Sequence, residues 1–529
     1  MTSVAKKRRF WCLLIVTSCT VFFVLARFLP LSDNIQIQRT AAVPSTYLFR
    51  KMAAQKRDAI LNTRTLPNST YSRISFIDRR QTYKVGEVLI VTITLYDSTG
   101  TRIRSGGDML RLLLKEAKLG ANVNGNVTDN GDGTYTGKVL LPWRGESQLV
   151  VYLSIPRQLH EIVVNAANEY GTMRHILGIF TRNNTNIRTP CGPIKVIKGF
   201  DSLCNLTEMA YNMPWYCVKP KPAEFTCKHW TLSVTASNFT LSPSVTHALL
   251  AHQHKVFPKK TFITVKGDRT SMRTSETPCD KRPREQTWDF GTSGFYYNYT
   301  WVNIGCRNRY KMTRKQYSKC LAHRHLVLIG DSNVRSYLEF FTRFLKLKIT
   351  SGNPFDNKPD LVFGHNISQS ISAMWRPHGV PYFAAYPYRN EVLVPTSVIL
   401  DRLKVLRDNR PIVVIHLWSH MLAIPIHIVE ERIRDVRKAV ERLLSRAPNV
   451  TVVIKGPQSH LESQIYLQVD FKRVSFERIW QHEFRYLKNK VIYLNYWDIT
   501  TGSESKQLHP SQKILSDMVN TFINHVCDV

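Results

Sequence analysis

From His325 to the C-terminus the sequence alternates short apolar runs with stretches of helical periodicity, and this alternation constrains the fold more than any other feature. His325-Leu-Val-Leu-Ile-Gly330, Pro411-Ile-Val-Val-Ile-His416, Val450-Thr-Val-Val-Ile454 and Val491-Ile-Tyr-Leu494 are the apolar runs. Between the second and third, Val429, Ile433, Val436, Val440 and Leu443 step by 4, 3, 4 and 3, one face of a helix over residues 428–446. Strands this short and apolar are buried on both sides. Residues 321–529 are therefore expected to form a three-layer α/β/α domain around a parallel sheet. In such sheets ligands bind beyond the carboxyl ends of the strands.

The first run leads straight into Gly330-Asp331-Ser332, with helix-like sequence from Asn333 onward. Ser332 thus falls at a strand's carboxyl end and a helix's amino end, where unpaired N–H groups and the helix dipole favour negative charge. Its own N–H could donate to a tetrahedral oxyanion. A nucleophilic serine also needs a base, and His509, in Gln507-Leu-His-Pro510 after the last strand, is the candidate. Taken alone, Gly-Asp-Ser is equally well an ordinary turn with a helix cap.

Upstream the pattern differs. Val88-Leu-Ile-Val-Thr-Ile-Thr-Leu95 is followed by the turn Asp97-Ser-Thr-Gly100, and Asn130-Gly-Asp-Gly133 precedes Thr134-Tyr-Thr-Gly-Lys-Val-Leu-Leu141. Gln148-Leu-Val-Val-Tyr-Leu153 closes the block. Short strands with Gly, Asp and Asn turns predict a β-sandwich of immunoglobulin or filamin type over residues 71–165, a module that usually binds or spaces. Residues 166–320 hold seven of the eight cysteines outside the N-terminal apolar run and show little periodicity. They are expected to form a disulfide-tied connector. Cys320 and Cys527 bracket the α/β segment, at a strand start and a final helix end, and are expected to pair. No Cys-x-x-Cys with zinc spacing occurs, and no cofactor or metal is called for.

The N-terminus carries a membrane signal. Lys6-Lys-Arg-Arg9 precedes an apolar run from Phe10 to Leu29, and 20 residues at ~1.5 Å each span the ~30 Å core of a bilayer. Basic residues before the run favour a cytosolic tail (residues 1–9), a signal anchor (10–29), a stem (30–70) and a body on the lumenal side of the Golgi or secretory pathway. A cleaved signal peptide and a secreted body are the alternative. Eight N-glycosylation triplets, at Asn68, Asn126, Asn183, Asn205, Asn238, Asn298, Asn366 and Asn449, agree with a lumenal body. The chain's 29 asparagines would give roughly four by chance. The net charge of +34 then points to acidic glycans or glycoproteins as partners rather than nucleic acid.

Gly-Asp-Ser after a first strand, with Leu-His-Pro near the end, resembles the GDSL/SGNH esterases and their PC-esterase branch. More of the chain resembles the neurexophilin and PC-esterase domain (NXPE) family. Gly106-Gly-Asp-Met-Leu-Arg111, Asp132-Gly-Thr-Tyr135 and Trp143-Arg-Gly145 resemble its neurexophilin-like half. Gly330-Asp-Ser-Asn-Val-Arg335, His420, Ile454-Lys455, Trp497-Asp-Ile-Thr500 and Cys527 resemble its esterase half. The resemblance implies an SGNH-like fold for residues 321–529, Ser332 as nucleophile and oxyanion donor, and His509 as base. Gly379 and His420 are candidate further oxyanion groups. The expected Asp-x-x-His would put an acid at 506, where this chain has Lys506; Asp498 or Glu504 could substitute. Trp418-Ser419 and Leu422-Ala-Ile-Pro425 also depart from the family pattern.

Two readings follow. One is a serine acyl esterase or acyltransferase acting on O-acyl groups of secretory-pathway glycans, O-acetylated sugars including sialic acids being favoured. The other is a binding protein whose neurexophilin-like module engages a receptor, with the esterase domain kept as a scaffold.

Overall fold

The computed structural model describes residues 61–529 except 239–240, 269, 357–360, 380–393, 406–409, 461–468 and 528–529. The expected cytosolic tail, the apolar run 10–29 and residues 30–60 of the expected stem lie outside the described residues. Among the described residues no helix is long and apolar enough to cross a membrane.

The C-terminal sheet has seven strands in the order Lys348–Ser351, Val362–Asn366, Ile371–Pro377, His325–Gly330, Ile412–His416, Thr451–Lys455 and Val491–Leu494. The last five are mutually parallel, and the first two add antiparallel ladders at one edge. Because side chains alternate along a strand, each apolar run feeds two cores. Leu326, Leu328, Val414 and Ile492 pack with Val334, Tyr337 and Phe341 of helix Ser332–Leu345 and with Met518 and Phe522 of helix Gln512–Val526. Val327, Ile329, Val413 and Val452 pack instead with Val429, Ile433 and Val436 of helix Ile426–Arg446 and with Phe476 and Trp480 of helix Val469–Glu483. The result is a sheet between two helical layers. Cys320 and Cys527 are bonded across its first strand and last helix, 207 residues apart in sequence.

The N-terminal sandwich reaches beyond residues 71–165. Its inner faces carry Leu89, Val91, Ile93, Leu112, Val123, Tyr135, Val139, Leu149, Val151 and Ile263. Strand Ala121–Asp129 turns the corner between its two sides, pairing Leu112–Glu116 through its first half and Thr134 onward through its second. Strands Lys255–Val256, Thr261–Lys266 and the hairpin Gly294–Asn303 come from the segment expected as a connector and complete the sandwich. Leu66, inside the expected stem, is fully buried.

The rest of that connector has its own five-stranded antiparallel sheet between Arg174 and Asn238, tied by Cys191–Cys217 and Cys204–Cys227. Cys279 bonds Cys306. Two of its strands, Leu203–Asn205 and Tyr216–Val218, are only three residues long, too short for a period-2 pattern to register. Phe180 and Trp230 of this sheet, with the adjoining Trp215, share one apolar core with the helix Ile426–Arg446 layer.

Candidate active site

Gly330 ends the first strand with φ 150°, and a Cβ there would lie 2.2 Å from the His416 carbonyl oxygen of the neighbouring strand. Only glycine lets the chain turn this close to its neighbour. Asp331 then caps helix Ser332–Leu345. Its Oδ1 accepts from the Asn333 N–H at 2.8 Å and its Oδ2 from the Ser419 N–H at 2.8 Å. The cap leaves Ser332 as the first helical residue, its N–H with no intrahelical carbonyl to reach.

His509 lies between helices Trp497–Gly502 and Gln512–Val526. Its Nε2 is 2.7 Å from Ser332 Oγ, within the reach a general base needs. With Nε2 accepting the hydroxyl proton, the neutral ring carries its hydrogen on Nδ1. The His509 imidazole is less basic than its ordinary 6.5, first because the site desolvates the ring and then because of the Arg335 guanidinium. Both effects keep it neutral, the form that can take a proton.

The substitute acids are occupied elsewhere. Asp498, 3% exposed, accepts from Asn124 Nδ2 at 3.0 Å through Oδ1, and from Ser293 N–H at 2.8 Å and Ser293 Oγ at 3.0 Å through Oδ2. Its candidate role as the acid is corrected accordingly: it binds the sandwich to the α/β domain, and burial raises its pKa. Glu504 ion-pairs Lys115 at 2.5 Å and accepts from Tyr152 O–H at 2.6 Å, again from the sandwich. Lys506 is exposed. Among the described residues no carboxylate comes within ion-pair distance of His509.

Gly379 is corrected too, because its N–H donates to Val394 O at 2.9 Å and is not open to an oxyanion. His420 is buried at this end of the sheet with its Nδ1 2.9 Å from His378 Nε2. Burial, then the Arg432 charge, push the His378 pKa down to about 3.

Beneath the pair lies a buried polar network centred on Gln458, a residue the sequence did not single out. Lys455 Nζ donates to Gln458 Oε1 at 2.6 Å and lies 3.3 Å from His416 Nε2. Gln458 Nε2 donates to Asn333 Oδ1 at 2.8 Å and to the Leu508 carbonyl at 3.2 Å. Asn333 Nδ2 donates to Ser419 Oγ at 2.9 Å. Burial pushes the Lys455 ammonium down to about 7 and the Asp331 carboxyl up, each charge partly offsetting the other's shift. The available signal was position: Gly456–His460 directly follow the strand Thr451–Lys455, at the carboxyl edge where such sites form.

Two other groupings place ligand-type atoms together, Cys279 with Cys306 and His525, and Glu430 with His482 and Glu483. The two cysteines are bonded to each other, and Arg434 and Arg437 already pair the carboxylates. Of the glycosylation triplets, Asn126, Asn183, Asn205, Asn298 and Asn449 are exposed, and Asn68 and Asn366 are half-buried. The Asn238 side chain is outside the described residues.

Residues 301–527 match the family described as "NXPE family member 4-like, C-terminal domain". A solved structure described as "Crystal structure of the Lin-41 filamin domain" is similar at 15% identity and a TM-score of 0.15, over 17% of this chain and 86% of that one.

Proposed function

The chain belongs to the NXPE family, with residues 301–527 as its matching C-terminal domain, and from this premise we propose that it is a serine O-acyl esterase or acyltransferase. The observation that carries the proposal is the 2.7 Å approach of Ser332 Oγ to His509 Nε2 at the head of a helix. The substrate class is O-acyl groups on secretory-pathway glycans, O-acetylated sugars such as sialic acids foremost, and the net charge of +34 favours acidic glycans as partners. The resemblance to SGNH-type esterases and the N-terminal anchor belong to the same proposal. With the basic flank of that anchor in the cytosol, the domain would lie on the lumenal side of the membrane.

In the reaction, Ser332 Oγ attacks the acyl carbonyl carbon while His509 Nε2 takes the hydroxyl proton. The oxyanion lies against the Ser332 N–H, in the positive field of the helix terminus. Collapse breaks the ester bond, and the proton on Nε2 passes to the departing sugar oxygen, leaving an acyl-Ser332 ester. Water or a second sugar hydroxyl then gives its proton to His509 and attacks the acyl carbon; the Ser332 Oγ–acyl bond breaks, and the proton on Nε2 returns to Ser332 Oγ. Among the described residues no carboxylate stabilises the imidazolium as one does in a complete triad, so turnover should be slow.

The commitment of Asp498 and Glu504 to the sandwich favours a second reading, a binding protein with an esterase-like scaffold. Incubation with an O-acetylated sialoglycoprotein separates the two. Acetate release, or acetyl transfer to an added glycan, that is lost in Ser332→Ala supports the enzyme; none above the Ser332→Ala background supports the scaffold.

A further inference from the structure

Every hydrogen-bond direction in the network beneath Ser332 is fixed by chemistry. A backbone carbonyl only accepts, so the Gln458 amide nitrogen must face the Leu508 carbonyl and its oxygen faces Lys455 Nζ, 2.6 Å away. The Gln458 amide nitrogen then faces the other way, with both of its hydrogens used. One goes to Asn333 Oδ1 at 2.8 Å and the other to the Leu508 carbonyl at 3.2 Å. Because Asn333 Oδ1 accepts, its own amide nitrogen donates to Ser419 Oγ at 2.9 Å. The Gln458 backbone is pinned as well, its carbonyl accepting from Trp418 Nε1 at 2.9 Å.

Asn333 immediately follows the nucleophile and Leu508 immediately precedes the base. One amide group, 0% exposed, therefore bridges the two halves of the catalytic pair, which lie 177 residues apart in sequence. In a serine triad a carboxylate orients the histidine. Here the segment that carries His509 is held by its backbone, through Leu508, to the helix that carries Ser332.

We infer that Gln458 is the positioning residue of this site, aligning His509 on Ser332 through the Leu508 carbonyl, and that Lys455 anchors its amide oxygen. The inference rests on the proposed esterase reading for its catalytic consequence, but the alignment itself is open to a separate measurement. Two substitutions isolate it. Gln458→Glu keeps an oxygen for Lys455 and removes both donors. Gln458→Met keeps the side-chain length and removes every side-chain hydrogen bond.

The experiment compares the full-length parent with each variant that folds, by two readouts. Backbone hydrogen–deuterium exchange is followed over residues 503–511, with residues 325–330 as the internal control. Inactivation by a fluorophosphonate is resolved into kinact and KI. The inference predicts at least a tenfold rise in exchange over 503–511 with the control strand unchanged, and a kinact at least tenfold lower at unchanged KI. Unchanged exchange over 503–511 in a folded variant overturns it, whatever the probe does. So does a variant that changes KI alone. If the parent is not labelled at Ser332, the esterase reading falls, and the exchange measurement still decides whether Gln458 holds the His509 segment.

Discussion

Asp498 accepts a hydrogen bond from Asn124 at 3.0 Å, across 374 residues of sequence and across the junction between the α/β domain and the sandwich. Ser293 donates twice to the same carboxylate. The acid nearest in kind to a triad member thus serves the junction. Asp498→Ala leaves the Asn124 amide and the Ser293 N–H and O–H without their acceptor, which should destabilise the fold by ~2–4 kcal/mol. Labelling of Ser332 per folded molecule should stay within about twofold. Thermal unfolding and probe labelling on one sample check both, and a labelling loss beyond the folded fraction would return Asp498 to the catalytic machinery.

Arg111 makes the second tie. Its Nη2 donates to Asp470 Oδ2 at 2.7 Å and its Nε to Asp470 Oδ1, a bidentate pair with both side chains buried. Truncating one partner strands the other charge in the interior. We expect Arg111→Ala to cost ~3–5 kcal/mol. The double variant Arg111→Met with Asp470→Leu should recover most of that loss. A double variant no more stable than Arg111→Ala would show that the pair is not what the junction depends on.

The Lys506 position offers a gain-of-function test. Restoring a carboxylate three residues before His509 supplies what stabilises an imidazolium, and loss of that carboxylate costs ~10⁴ in kcat in a serine protease with intact geometry. Recovering even part of this, Lys506→Asp should raise esterase turnover at least tenfold. The comparison is made with an acetyl ester probe on parent and variant. A folded variant with parental turnover would mean that a carboxylate at 506 does not reach His509.

The His509 environment sets the pH dependence. Desolvation and then Arg335 lower its pKa from 6.5, so the base-competent neutral form persists to a lower pH than for a free histidine. The labelling rate should rise with pH through a midpoint below 6.5 and be flat at neutrality. Arg335→Gln removes the smaller cause and should move the midpoint up toward 6.5 without reaching it, because the desolvation stays. A midpoint that falls in Arg335→Gln would contradict the assignment.

The sheet and the position of Ser332 at its carboxyl edge were legible in the sequence for the same reason. Residues 412–415 and 452–454 are buried on both faces, so their composition is apolar without interruption, and Ser332 stands at the end of another such run. What was not legible depends on partners distant in sequence. Ile371–Pro377 alternates buried and half-buried residues, and the strands beyond it form the sheet's edge, so no apolar run marks them. Nothing local to Asp498 or Glu504 tells that Asn124, Lys115 and Tyr152 of the sandwich take their lone pairs. Gln458 reads as a loop residue until the fold brings Asn333 and Leu508 to its amide.

The central claim is that Ser332 is a nucleophile activated by His509, and fluorophosphonate labelling with peptide mapping tests it most directly. The account predicts one covalent adduct, on Ser332, absent in Ser332→Ala and slowed at least 100-fold in His509→Gln. An unlabelled protein, an adduct on another serine, or an undiminished rate in His509→Gln would contradict it.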